Sequence, residues 1–325
     1  MTFSLIILGS NSAIPTLTRN PSAHLLNVNE RLFLIDCAEG TQLQIRKFHV
    51  HFQRVQRIFI SHLHGDHFFG LIGLLNSMHL LGRKEELHLY GPPLLKEILD
   101  LQLEASQTTL NYPLFFYPLS FSGYEMIYED EKVTVHSFPL LHSVPTCGFL
   151  FQEKKQERRI RKDMLAELKI PVAEMQNLKR GQDYVDEQGR VFKNEEITLD
   201  PPSPRSYAYC SDTAYTESIL PFIRQCDLLY HETTFMQNMA ASARDKQHST
   251  TIEAATIAKK ANVKKLLIGH FSARYDDLQP LLEEARSVFP DTIIAEDGMS
   301  ISILIRIIPL SIVNSYSSQC ARRSL

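Results

Sequence analysis

Residues 58–67 read IFISHLHGDH. Ile58 to Ser61 make an apolar run of strand type, and the next six positions deliver His62, His64, Asp66 and His67 directly before a helical pattern. Alternate spacing at a strand exit puts His62 and His64 on one side. Gly65 permits a tight turn, after which Asp66 and His67 can face a second point nearby. Imidazoles and a carboxylate clustered in this way suit zinc, which takes nitrogen and oxygen ligands. A single histidine at a strand end is more often a hydrogen-bonded core residue. Three with an aspartate in so short a loop point to a metal.

Two metals need more ligands than these four. His142 follows VTVHSFPL, Asp212 follows SYAYCS and His270 follows KKLLIG, each at the end of a strand-like run. Taken singly, each is ambiguous between a ligand and an ordinary polar loop residue. Their shared place at strand exits strengthens all three, because functional residues in α/β sheets gather on loops at one edge.

Around these points the chain alternates strand-like and helical segments. FSLIIL, RLFLID, RIFIS and LHLYG read as strands of a first half, with TQLQIRKF and FFGLIGLLNSMHLLG as helices. The second of these helices is apolar nearly all round, which predicts either full burial within one chain or a partner on its outer face. SYAYCSD, DLLYHET, KKLLIGH and TIIAED read as strands of a second half, with TIEAATIAKKA and LQPLLEEARSVF as helices. Two such halves predict an α/β architecture of mixed sheets with helices outside.

The 325 residues allow one large domain with ample core, and 34 Lys+Arg against 37 Asp+Glu give a formal charge of −3. That balance excludes a generally basic coat, so nucleic acid would have to be held by a local patch or through metal ions. Five cysteines without a CxxC pair argue against a disulfide framework or a zinc ribbon and suit a reducing compartment. The run Phe3–Leu8 is too short for a signal-peptide core and lacks a preceding Lys or Arg, so it reads as a buried first strand. Arg306 and Pro309 interrupt the apolar segment ISILIRIIPLSIV well short of a membrane span. The expected address is the cytoplasm.

Residues 152–204 differ from the two halves. The stretch opens with EKKQERRIRKD, six basic residues to three acidic, whereas residues 153–200 hold eleven of each. It reads as a solvated insertion basic only at its start, with Lys154, Lys155, Arg158 and Arg159 as the local cations.

HLHGDH followed by separate His, Asp and His at long spacings resembles the metallo-β-lactamase superfamily. SNSAIPTLTRNPSA near the start, SDTAYTE around Asp212, YHETTF at 230–235, HSTT at 248–251 and GHFSARY at 269–275 narrow this to a resemblance to the ribonuclease Z family over Ser4 to about Ile305. The resemblance implies an αββα sandwich over residues 1–305, with 152–204 as an inserted tRNA-binding arm and 306–325 as a tail without counterpart. It implies a hydrolase, an endoribonuclease that removes the 3′ trailer of precursor tRNA with two zinc ions per chain. One zinc would take His62, His64 and His142; the other would take Asp66, His67 and His270; Asp212 would bridge them. Asp66 would accept the proton of the attacking water. His248 would protonate the leaving ribose oxygen, with Glu232 orienting it. A homodimer is implied, one subunit's arm presenting tRNA to the other subunit's zinc site.

Several of these positions also have plainer readings. His248 could be a surface histidine before the helix that Ser249 or Thr250 caps, and Glu232 could belong to a surface ion pair. Arg19, Asn20, Arg274 and Tyr275 are candidates for the RNA end, while a structural arginine tying a loop is the bland alternative. Family members often carry Lys or Arg where this chain has Leu17, so one basic contact to the RNA end is expected to be missing. The competing activities are a general zinc phosphodiesterase or a thioesterase on the same fold, and the competing class is a non-catalytic RNA-binding subunit.

Overall fold

The computed structural model describes residues 2–304; the tail 306–325 lies outside the described residues. In chain order the first half runs β1 (Phe3–Gly9), β2 (Ala23–Val28), β3 (Arg31–Ile35), α1 (Thr41–Lys47), β4 (Val55–Phe59), α2 (Gly65–Phe68), α3 (Leu71–Leu80), β5 (Leu87–Gly91), α4 (Leu94–Ala105) and β6 (Leu114–Pro118). Strands β7 (Glu125–Glu129), β8 (Val133–Pro139) and β9 (Cys147–Glu153) follow. A separate unit, Lys154–Pro204, holds β10 (Arg159–Ile160), α5 (Lys162–Glu167), α6 (Val172–Lys179), β11 (Tyr184–Val185), β12 (Val191–Phe192), α7 (Asn194–Ile197) and β13 (Thr198–Leu199). The main unit resumes with β14 (Ser206–Cys210), α8 (Leu220–Ile223), β15 (Leu228–Glu232), α9 (Ala240–Asp245), α10 (Thr251–Lys260), β16 (Leu266–Gly269), α11 (Gln279–Val288), β17 (Thr292–Ile294) and β18 (Ser300–Ser302).

The main unit stacks two seven-stranded mixed sheets, ordered β18-β1-β2-β3-β4-β5-β6 and β17-β16-β15-β14-β9-β8-β7. Period-two alternation sorts their apolar residues onto two faces. On β1, Phe3, Leu5 and Ile7 face the space between the sheets, where they meet Phe149 and Phe151 of β9 and Tyr207 and Tyr209 of β14. The opposite face of the first sheet, including Leu34, Ile58 and Leu89, is covered by Ile45 of α1, Leu74 and Met78 of α3, and Leu95 of α4. The opposite face of the second, including Ala208, Leu229 and Ile268, is covered by Ala255 and Ala258 of α10 and Leu281 of α11. Helix, sheet, sheet, helix is the αββα sandwich that the family resemblance implies.

The segment after the zinc-type motif departs from the single buried helix. It breaks into α2 and α3 at Phe69–Gly70, where Gly70 N donates to the Cys37 carbonyl at 3.0 Å in place of a helical partner, and a Cβ there would fall 2.0 Å from the Ala38 carbonyl oxygen. Leu71, Leu74, Leu75 and Met78 are buried, but Leu80 and Leu81 are exposed. The unit Lys154–Pro204 carries its own small core of Ile170, Leu178, Tyr184 and Ile197. Among the described residues no helix is long and apolar enough to cross a membrane.

Candidate metal centre

In both sheets the parallel strands β3-β4-β5-β6 and β14-β15-β16-β17 bring their exits to loops that carry the polar residues. After β4, the nitrogen His62 Nε2 lies 3.2 Å from His64 Nδ1, which lies 3.2 Å from His142 Nε2 beyond β8. Asp212, just past β14, points Oδ2 at this group, 3.6 Å from His62 Nε2 and 3.7 Å from His142 Nε2. Its other oxygen, Oδ1, lies 3.3 Å from His67 Nε2 and 3.1 Å from His270 Nε2. Asp66 Oδ2 closes that second group at 3.7 Å from His67 Nε2 and 3.4 Å from His270 Nε2.

Bonds of 2.0–2.1 Å to a tetrahedral ion put neighbouring ligand atoms roughly 3.3–3.4 Å apart. The observed spacings bracket that value in both groups. His67 Nε2, His270 Nε2 and Asp212 Oδ1 are buried and have no hydrogen-bond partner. Such atoms are rare unless something else satisfies them. Each group could hold a metal ion, and the donor set fits one.

The far ring nitrogens explain why the near ones are bare. His67 Nδ1 donates to Asp36 Oδ2 at 2.7 Å, and His142 Nδ1 donates to the Gln247 carbonyl at 2.8 Å. His62 Nδ1 pairs with Ser61 Oγ at 3.0 Å and His270 Nδ1 with Thr234 Oγ1 at 2.9 Å. A proton held on Nδ1 leaves Nε2 as the lone-pair donor a metal requires. Asp36 is the hub of this outer layer. Its fully buried carboxylate also accepts from Ser61 N, Ser61 Oγ and Tyr209 OH. The sequence reading passed over Asp36, although it too stands at a strand exit, after β3. Both Asp36 and His270 hold left-handed backbone (φ 55° and 60°), a conformation that costs about 1–3 kcal/mol outside glycine and persists where function aims a side chain.

Glu232 and His248 form a separate pair beside these groups. Glu232, at the end of β15, is completely buried, and His248 Nδ1 donates to its Oε1 at 2.8 Å. Ser249 N and Thr213 N donate to the same oxygen, while Thr234 N and Oγ1 hold the other. Burial disfavours charge on His248, but Glu232 outweighs it and raises the pKa to about 9. Burial likewise opposes charge on Glu232, and the facing imidazole nevertheless holds its carboxyl below the usual range. Within this pair each charge favours the other. Thr250, not Ser249 or His248, caps α10, closing a capping box with Glu253. His231 is buried and turned away, its Nδ1 donating to the Glu232 carbonyl.

Comparison with known proteins places this geometry. A ribonuclease Z from Bacteroides fragilis is 45% identical over 301 residues, covering 93% of this chain and 99% of its own. The chain belongs to the ribonuclease Z family. The crystal structure of human tRNase Z, short form, superposes with a TM-score of 0.68 at 27% identity, covering 93% of this chain and 100% of that one. The metallo-β-lactamase fold protein YhfI from Bacillus subtilis shares the fold, with a TM-score of 0.66 at 18% identity, covering 93% of this chain and 100% of that one. A profile described as anti-Pycsar protein Apyc1 matches residues 3–161.

The remaining candidates of this ribonuclease Z family member sit further out. Arg19 spends Nε on Asn11 Oδ1 at 3.1 Å and Nη2 on the Tyr275 carbonyl at 2.7 Å, so it ties the 10–22 loop to the loop after β16. Asn20 gives both its main-chain and side-chain N–H to Asp297. Tyr275 OH accepts from Met236 N. Arg274 is exposed, with its guanidinium 5.1 Å from the Phe235 ring centre. Leu17 is fully exposed. In the unit 154–204, Arg158 pairs with Asp200 and donates to Thr198 Oγ1, while Lys155 and Arg159 are exposed without an acidic partner among the described residues. Lys154 is half-buried.

Proposed function

We propose that this chain is a zinc-dependent endoribonuclease that removes the 3′ trailer of precursor tRNA, hydrolysing the phosphodiester after the discriminator nucleotide and leaving a 3′-hydroxyl on the tRNA. The observation that carries the reading is His248 donating Nδ1 to the buried Glu232, beside two ligand groups divided by the two oxygens of Asp212. His62, His64 and His142 would hold one zinc ion, Asp66, His67 and His270 the other, with Asp212 shared. Ions held there supply an acidified water as nucleophile and charge neutralisation for the phosphoryl oxygens.

The chain's own groups do the rest. Asp66, whose Oδ2 closes the second group beside His67 and His270, accepts the proton of the attacking water. The ribose 3′-oxygen leaves poorly as an alkoxide, and His248 delivers the proton it needs. Glu232 keeps that imidazole charged and fixes its Nδ1 proton inward, so Nε2 faces the leaving group. Asp36 and Gln247 hold the ligand rings in place. A cleavage assay on precursor tRNA with a 3′ trailer, mapped to one nucleotide, tests the reading. Cutting at any other position, or none, would refute it. Elemental analysis of zinc-replete protein should return close to two ions per chain.

A homodimer belongs to the same reading. The exposed Leu80, Leu81 and Leu101, with the apolar groove of Ile72, Gly73 and Leu103 between α3 and α4, support pairing through this face. Light scattering should give a mass near twice 37.2 kDa. Mixing an arm-deleted chain with a His64→Ala chain should restore cleavage if one subunit's arm serves the other's site. The buried free thiols of Cys37, Cys147, Cys210 and Cys226 support a reducing, cytoplasmic setting.

A further inference from the structure

The pocket over the ligand groups has a volume of about 520 Å³. Most of its polar lining, His64, Asp66, Asp212, His248 and His270, already has a role above. Its largest apolar side chain does not: Phe69 lines the pocket and is 65% exposed. A single exposed ring is ordinary elsewhere on a surface, but this one stands in the pocket over the ligand groups.

The ring is held in place. Gly65 has no Cβ, and one built there would fall 2.2 Å from Phe69 Cε2, so the ring lies directly on the Gly65 main chain. Phe68 braces it edge-on, with ring centres 4.9 Å apart. Phe69 N donates to the Gly65 carbonyl at 3.0 Å. Gly65 joins His64 of the first ligand group to Asp66 of the second, so a phosphodiester seated across both groups brings a flanking nucleotide over this ring.

The flank can be assigned. His248, assigned above to the leaving oxygen, lines the same pocket as Phe69, but its ring neighbours are His142, His270 and Phe235 and that of Phe69 is Phe68, so the two stand in separate ring clusters among the described residues. In-line displacement sets the phosphoryl group between the leaving oxygen and the attacking water. The nucleotide that keeps the phosphate is the first of the trailer. We propose that Phe69 is a stacking platform for the first trailer base. Stacking on an aromatic face is sequence-tolerant, because every base has a π-face. The ring would thus grip the trailer without reading it. This inference rests on the precursor-tRNA reading above.

The test is a double-mutant cycle on the zinc-loaded protein, with precursor tRNA either intact or abasic at the first trailer position. Phe69→Ala should lower kcat/KM on the intact precursor roughly tenfold and on the abasic one by less than about twofold, and Phe69→Trp should retain the preference for a base. Equal losses on both substrates would overturn the proposal, as would coupling to an abasic discriminator in place of the trailer base. Metal content and mass by light scattering are followed in parallel. If Phe69→Ala loses metal or dissociates, Phe69→Leu keeps the bulk without the flat face, and it must show the same base-dependent loss for the proposal to stand. Wild-type protein that fails to cut the precursor sinks the functional reading. Cutting that is indifferent to Phe69 sinks only this inference.

Discussion

The metal centre and the unit Lys154–Pro204 handle charge in opposite ways. At the centre, ionisable side chains are buried and converge: the two Asp212 oxygens each face a separate set of ligands, and three buried polar atoms are left without a hydrogen bond. In the arm, charges are exposed and many cancel locally. Arg161 pairs with Asp163, Arg190 with Asp186 and Lys193 with Asp183. Only some cations, including Lys155, Lys179 and Arg180 around a hollow that Glu157 and the paired Arg158 also line, have no ion-pair partner among the described residues. The first region is built for fixed multivalent charge at atomic precision. The second suits a diffuse, screened attraction to a polyanion. Changes at the centre should therefore be close to all-or-none, and changes in the arm graded and salt-dependent.

The largest expected effect breaks the centre alone. His64→Ala removes one nitrogen of the first group and should leave cleavage below about 0.1% of wild type, since the metal ions supply several kcal/mol of charge stabilisation. His64 sits in a loop and not in the core, so circular dichroism should show the fold kept. Retained cleavage with the metal content unchanged would show that His64 is no ligand.

Next is the proton. His248→Ala should lower kcat by about 10²–10⁴-fold while tRNA binding changes little. A nitrophenyl phosphodiester, with a leaving group that needs no proton, should suffer far less. If His248 is the acid, its protonated form is the active one, and its titration should remove activity as pH rises. The alkaline limb of kcat should lie at or below about 9, because bound cations would press that pKa down, and it should vanish in His248→Ala. Equal losses on the two substrates would show that His248 is only structural.

These two regions were unequally legible in the sequence. HLHGDH concentrates four candidate ligands in six residues, and His142, Asp212 and His270 obey one rule, a polar residue at a strand exit. The same rule covered Asp36 but lacked a reason to choose it, since an outer-layer carboxylate announces itself only once His67 is seen beside it. The helix break at Phe69–Gly70 goes with the bond of Gly70 N to the Cys37 carbonyl, thirty-three residues away in sequence. In the arm, composition showed that charges balance. It could not show which cations are spent, because that depends on pairs such as Arg158 with Asp200, forty-two residues apart.

Deleting about residues 155–200 sharpens the comparison from the other side. Binding of precursor tRNA should weaken roughly tenfold or more and lose much of its salt dependence, since fewer counterions are released. Hydrolysis of a small phosphodiester should survive, because no proposed ligand lies in the deleted span. Unchanged tRNA cleavage would reduce the arm to a solvated loop.

The smallest effect separates cations within the arm. Arg158 is engaged by Asp200 and Thr198, whereas Arg159 next to it is exposed and has no acidic partner among the described residues. If the arm grips RNA through its unspent charge, Arg159→Ala should weaken tRNA binding a few-fold and reduce the slope of log K against log salt by about 1. Arg158→Ala releases Asp200 as a new uncompensated anion. Its loss of affinity should therefore come with a fall in the arm's own stability, read by proteolysis within the segment, which Arg159→Ala should not cause. Identical salt slopes for the two variants would mean that exposure and pairing do not decide which arginines meet the RNA, and the contrast with the metal centre would then rest on burial alone.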